Sequence, residues 1–162
     1  AQVDRFLMKL KVGYPTKAEE RQILDRMGDA TEKTASASVR PVLTPGQIEE
    51  LQALVRQLYA DERIKGYLVE LVAATRDPRA YGLPELADFV QYGASPRATL
   101  ALLSTARAHA FLQGRGYVVP EDVKEVAPEV LRHRVLLSYE AEAENVSSDQ
   151  VVSRILERIE VP

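Results

Sequence analysis

Few residues in this sequence can do chemistry, and the most pointed of them is an arginine at the wrong end of a helix. In the stretch 92–112, YGASPRATLALLSTARAHAFL, Ser95 fits an N-cap, Pro96 fits the first helical position and Arg97 follows in the first turn. A helix N-terminus already carries roughly half a positive charge, so an exposed cation there costs about 0.3–1 kcal/mol. The other capped helices place Glu or Gln at the third position of the first turn, whereas this one has Ala98. Free N–H groups beside a guanidinium make an anion site. The competing reading turns Arg97 toward a nearby carboxylate, Asp88 or Glu85. A second arginine, Arg5 in VDRF, reads alone as equally suited to local pairing with Asp4 or with a helix C-terminus.

The rest of the catalytic inventory is sparse. The sequence holds no GxxxxGK[ST] phosphate loop, no HExxH and no GxSxG elbow. It has no cysteine, which excludes disulfides, thiol nucleophiles and Cys-ligated metals. His109 and His133 lie on different elements; His109 reads as a packed or surface histidine. The RHR run at 132–134 reads as cations suited to a helix C-terminus, and EAEAE at 140–144 as an exposed acidic edge, with no metal site expected.

These residues must be positioned by helices. Of the 162 residues, 46% are hydrophobic, enough for a packed core, and the net charge of -3 gives no reason to expect nucleic acid or anionic lipid as a partner. No apolar run approaches the ~20 residues of a membrane span, and the first residues show no signal-peptide pattern. Residues 6–12 (FLMKLKV) read as a strand. A lone strand has nothing to pair with, so the expectation is a piece of a larger protein whose sheet lies upstream. Thr16 with Glu19, Thr44 with Gln47 and Ser147 with Gln150 are capping boxes, each opening a helix. The helix from Thr44 should bury a stripe of Ile48, Leu51, Val55, Leu58 and Tyr59, and the next helix should bury Tyr67, Leu68, Leu71 and Val72 before ending at Pro78. The helix from Ser95, with Leu100, Leu102, Leu103, Ala106, Ala110 and Phe111, should be central. The run 113–133 predicts a Gly-rich turn and two short helices; 134–146 is open between strand and loop; the last helix should bury Val151, Val152, Ile155, Leu156 and Ile159. The fold class expected is mainly α: an irregular helical bundle preceded by one β-strand.

The stretches AQVDRFLMKLKVGYPTKAEE, VAATRDP and GASPRATLALLSTARAHAFLQGRGYVVPEDVKEVAPEVLRHRVLLSYEAEAENV resemble the C-terminal part of MoxR-type AAA+ ATPases over essentially the whole chain. The resemblance implies three regions: the edge of the ATPase core at 1–28, a linker at 29–42, and a helical lid of the AAA+ type at 43–162. It implies that the DRF arginine, Arg5, is an arginine finger reaching the ATP of an adjacent subunit, and that the SPRA arginine, Arg97, is sensor 2, reaching the γ-phosphate from the lid of its own subunit. Tyr14 and Pro15 would border the adenine. It further implies ATP with Mg²⁺ in the full-length protein, an upstream AAA+ core, a ring of six copies, a cytoplasmic location, and chaperone-like remodelling or maturation of partner complexes alongside proteins with a von Willebrand factor A domain. Neither nucleic acid nor a membrane is expected as a partner. The Walker A Lys and Ser/Thr and the Walker B Asp are missing from this sequence, so the chain by itself is not expected to hydrolyse ATP. The alternative is an autonomous helical adaptor that binds a partner through a groove.

Overall fold

A computed structural model describes residues 2–28 and 40–162; most of the expected linker therefore lies outside the described residues. The chain forms two compact units, one of Ala1–Leu10 with Gln52–Pro162 and one of Lys11–Leu51. Eight α-helices occur among the described residues: α1 (Lys17–Gly28), α2 (Pro45–Gln57), α3 (Glu62–Arg76), α4 (Pro84–Ala87), α5 (Pro96–Leu112), α6 (Pro120–Leu131), α7 (Tyr139–Ala143) and α8 (Ser148–Arg158). Two short strands, β1 (Val90–Tyr92) and β2 (Leu136–Leu137), pair antiparallel. The architecture is the expected helical bundle.

The caps act where the sequence places them. Thr16 and Thr44 each accept from the backbone N–H three residues on, at 3.3 Å, while Glu19 and Gln47 reach back to the Thr N–H at 2.7 and 2.8 Å. Ser147 and Gln150 do the same at the start of α8. Each box satisfies N–H groups that a helix start otherwise leaves unpaired.

The core of the larger unit is built by α3, α5, α6 and α8. Tyr67, Leu68, Leu71 and Val72 of α3 are buried, as are Leu102, Ala106 and Ala110 of α5, Val123, Ala127 and Val130 of α6, and Val151, Val152 and Ile155 of α8. Small residues along α5 let its neighbours approach closely, which makes it the central helix. Leu100, expected inside, is 70% exposed, Ile48 and Tyr59 are likewise exposed, and Leu51, Val55 and Leu58 are half-buried. A single helix, α6, replaces the two expected after the Gly-rich turn, with Pro128 inside it. Proline removes one i→i−4 bond but does not forbid the turns on either side when tertiary packing holds them, and here both flanks are buried.

The expected strand at 6–12 is not one. A three-residue turn, Val3–Arg5, leads into extended chain that joins no ladder. Strand geometry needs a neighbouring strand to take its alternating N–H and C=O groups, and here the side chains of residues 132–134 take carbonyls of residues 6, 7 and 9 while the Glu129 backbone carbonyl takes the Lys9 N–H.

Candidate functional site

The start of α5 is fixed by what precedes it. A methyl group on Gly93 would stand 2.3 Å from the Thr75 carbonyl oxygen, so only glycine allows this approach to the end of α3. The Ala94 N–H donates to Thr75 Oγ1 at 2.9 Å, and Arg76 Nε donates to the Ala94 carbonyl at 2.8 Å. Ser95 is thereby placed as the N-cap, its Oγ accepting from the Arg97 N–H at 3.3 Å.

An anion does lie at this helix start, and it comes from the N-terminal segment. Asp4 Oδ2 accepts from Ser95 Oγ at 2.9 Å and from Arg97 Nη1 at 3.3 Å. Arg134 Nε is 3.2 Å from Asp4 Oδ1. Asp88 instead pairs with Arg79 at 3.0 Å. Arg97 thus turns to a carboxylate, but to Asp4, 93 residues away in sequence, and not to either neighbour considered from the sequence. Burial opposes ionisation of Asp4, yet the hydrogen bonds from Ser95 and Arg97 and the charges of Arg134 and Arg97 prevail and hold its carboxyl below the usual range.

Arg5 and Arg97 line one shallow concavity of about 260 Å³, together with Asp4, Leu100 and Arg134. Arg5 is exposed, and no carboxylate among the described residues pairs with it. Arg97 is 64% exposed at its side chain. Both guanidiniums are therefore accessible to a ligand in solution. Tyr14 and Pro15 belong to the smaller unit and are exposed, Tyr14 fully.

The RHR run holds the segment that carries Asp4 and Arg5. Arg132 Nη1 donates to the Lys9 carbonyl at 2.9 Å while its Nε and Nη2 engage Asp149 and Glu129. His133 Nε2 donates to the Phe6 carbonyl at 3.0 Å. Arg134 donates to the carbonyls of Asp4, Phe6 and Leu7 at 3.2, 2.6 and 3.1 Å. It also reaches Val130 in the last turn of α6, the one bond that matches the helix-dipole reading. The Lys9 N–H completes the set by donating to the Glu129 carbonyl at 2.8 Å. His133 donates from Nε2 to a carbonyl, so in the neutral ring Nδ1 is the nitrogen without a proton, and this buried atom has no hydrogen-bond partner among the described residues. Burial, then the charges of Arg134 and Lys9, push the pKa of His133 down.

His109 is a structural residue. Its Nδ1 lies 2.8 Å from Asp122 Oδ1, and Arg115 closes on both oxygens of the same carboxylate at 2.7 and 2.5 Å. Asp122 is fully buried and also accepts the Val119 N–H at 2.8 Å, so one carboxylate ties the end of α5 to the start of α6. Glu140, Glu142 and Glu144 are exposed, and no group of three metal-ligating side chains occurs among the described residues.

The class of this helical bundle follows from one match: residues 86–155 match the AAA lid domain family. The chain is 40% identical over its whole length to the chaperone MoxR1 of Mycobacterium tuberculosis, spanning 42% of that protein. It is 33% identical to the MoxR protein of Methylorubrum extorquens, with 98% of the chain and 49% of the relative covered. A crystal structure of a candidate ATPase from Cytophaga hutchinsonii superposes with a TM-score of 0.91 at 38% identity, covering 99% of this chain and 48% of that one. The chain is homologous to MoxR chaperones, carries a match to the AAA lid domain, and spans less than half the length of the curated relatives it matches. No helix among the described residues is long and apolar enough to cross a membrane.

Proposed function

We propose that this chain is the lid-bearing, C-terminal part of a MoxR-type AAA+ ATPase, and that Arg5 and Arg97 bind the phosphates of ATP at a subunit interface. One observation carries the reading: the two arginines line a single concavity at the start of α5, where a carboxylate already sits between Ser95 and Arg97. A phosphate oxygen has the same charge and acceptor geometry, and a guanidinium can bind two such oxygens while staying charged. ATP is the substrate of the whole protein, with Mg²⁺ held by the upstream core.

The shared concavity supports a refinement. The family resemblance assigns the finger to a neighbour's ATP and the sensor to its own subunit's. Two arginines in one cavity instead favour a single γ-phosphate met by both, the neighbour's if Arg5 acts across the interface. Phosphoryl transfer needs cations fixed where charge sits in the transition state, and an arginine finger is worth about 10³–10⁵ in rate. Loss of the phosphate would release the lid and turn hydrolysis into movement. Tyr14 and Pro15 keep the looser role of adenine contacts. The wider setting is a cytoplasmic homo-oligomeric ring, of six copies by family resemblance, that remodels or matures partner complexes, with a von Willebrand factor A domain protein among the partners.

The test uses the full-length ATPase with its core. Arg97→Ala and Arg5→Ala should each lower ATP turnover at least about a thousandfold with the lid still folded, the low side of what a finger supplies. In rings mixed with a Walker-dead subunit, both variants should fail in the same position relative to the live ATP. Normal turnover of either variant overturns that residue's role, and failure in opposite positions restores the split assignment.

A further inference from the structure

The RHR run has no place in the reading above, yet its last residue touches the backbone on both sides of Arg5. The Arg134 side chain is 2% exposed, which is rare for a cation. It is aimed at main chain, and it takes the carbonyls of residues 4, 6 and 7, so that Arg5 lies inside the bracket with its own side chain free. His133 adds a second donor to the Phe6 carbonyl, and Asp4 Oδ1 stands 3.2 Å from Arg134 Nε. Arg134 also lines the concavity shared by Arg5 and Arg97.

We propose that Arg134 is the positioning residue of Arg5: its guanidinium fixes the 4–7 backbone against the lid so that the Arg5 side chain is presented beside Arg97. The inference rests on the phosphate-binding role proposed for Arg5. A planar guanidinium offers five N–H donors in a fixed fork, which lets one side chain serve several carbonyls at once; a lysine ammonium is a point charge on a flexible stem. A buried cation is a costly way to hold a chain end when apolar packing would serve, so its location around Arg5 is informative. What it supplies is preorganisation: a finger held in place meets a transition state without first being ordered.

The experiment uses the full-length protein and compares Arg134→Gln, Arg134→Lys, Arg5→Ala and the double variant Arg5→Ala/Arg134→Gln. Amide hydrogen exchange reports the backbone. The N–H groups of Arg5, Phe6 and Lys9, bonded to Gln2, Val3 and Glu129, should exchange at least about tenfold faster in Arg134→Gln, while α3, α5 and α8 keep their protection. The kcat for ATP should fall at least about tenfold with KM within about twofold, and the double variant should be no slower than Arg5→Ala alone. Lysine should not restore turnover. Unchanged exchange at residues 5–9, wild-type turnover in Arg134→Gln or Arg134→Lys, or additive losses in the double variant would each overturn the proposal. Normal turnover of Arg5→Ala would overturn the finger role and leave exchange at residues 5–9 to decide whether Arg134 holds the segment.

Discussion

Arg97 and Asp4, 93 positions apart in sequence, meet at 3.3 Å over the first turn of α5. The pair explains a cation at a helix N-terminus: the carboxylate supplies the negative charge that the free N–H groups and the guanidinium both attract. Asp4 therefore competes with any incoming anion. Asp4→Asn removes that charge and keeps the shape. At an exposed site a unit charge about 4 Å away is worth about 1 kcal/mol, so the affinity for inorganic phosphate should rise about fivefold. The measurement is a phosphate titration followed at the Arg97 amide by NMR; unchanged affinity would mean that Asp4 does not guard the site.

Gly93 is the second sensitive point. Any Cβ there meets the Thr75 carbonyl oxygen at 2.3 Å and Arg76 Cα at 2.7 Å, and neither can swing aside as a side chain would. Gly93→Ala should cost about 1–3 kcal/mol or more and displace the N-terminus of α5. Chemical denaturation reads the loss, and the Arg97 amide shift reads the displacement. Gly116, whose added Cβ would meet nothing within 4 Å, is the control and should lose little.

Local signals were legible in the sequence and cross-chain ones were not. The boxes at Thr16, Thr44 and Ser147 and the cap at Ser95 depend on residues three apart or fewer, and all form. The apolar face of α3 follows from periodicity and is buried, as are Val151, Val152 and Ile155 of α8, while Leu156 and Ile159 are half-buried. Arg97 stood out because its position breaks a local rule. Its partner did not, since nothing near residue 97 points to residue 4. The strand at 6–12 fails for the same reason: alternation signals extended chain, but whether a ladder forms depends on what lies alongside. Arg134 was hidden most completely, because backbone carbonyls have no sequence signature; only the conjunction of two arginines and a histidine with a helix end hinted at it.

The clasp on residues 4–9 should weaken on acidification in two separate steps. The folded protein holds the His133 pKa below its ordinary value of 6.5, chiefly by burial. Between that lowered value and 6.5 the unfolded chain binds more protons, so stability is full above about 6.5 and falls as the pH drops through the folded pKa. Asp4 is lowered from 3.8, so its contribution is full above that value and is lost only as pH falls further. Exchange of the Phe6 and Lys9 amides, corrected for intrinsic rate, should therefore quicken first in mildly acid solution. His133→Gln, which keeps a donor but cannot titrate, should abolish the first step and leave the second. A profile flat between pH 7 and 5 in the native protein would refute the role of His133.

Asp122 carries the largest predicted penalty. Its carboxylate is fully buried and serves His109, both terminal nitrogens of Arg115 and the Val119 N–H. Burial alone would favour its neutral form, but the Arg115 and Val119 bonds, with His109, hold its pKa below the ordinary 3.8. Asp122→Ala strips a charge from a buried network and should cost about 3–5 kcal/mol, measured by urea unfolding. Arg115→Ala leaves that carboxylate buried with only His109 and one backbone N–H, and should cost a similar amount. The double variant is diagnostic. With both charges gone neither member of the ion pair is left without its counter-charge, and the His109 and Val119 donors lose no more than they do in Asp122→Ala, so the double variant should be no less stable than Asp122→Ala, whereas fully additive losses would mean that Arg115 and Asp122 stabilise the α5–α6 corner independently.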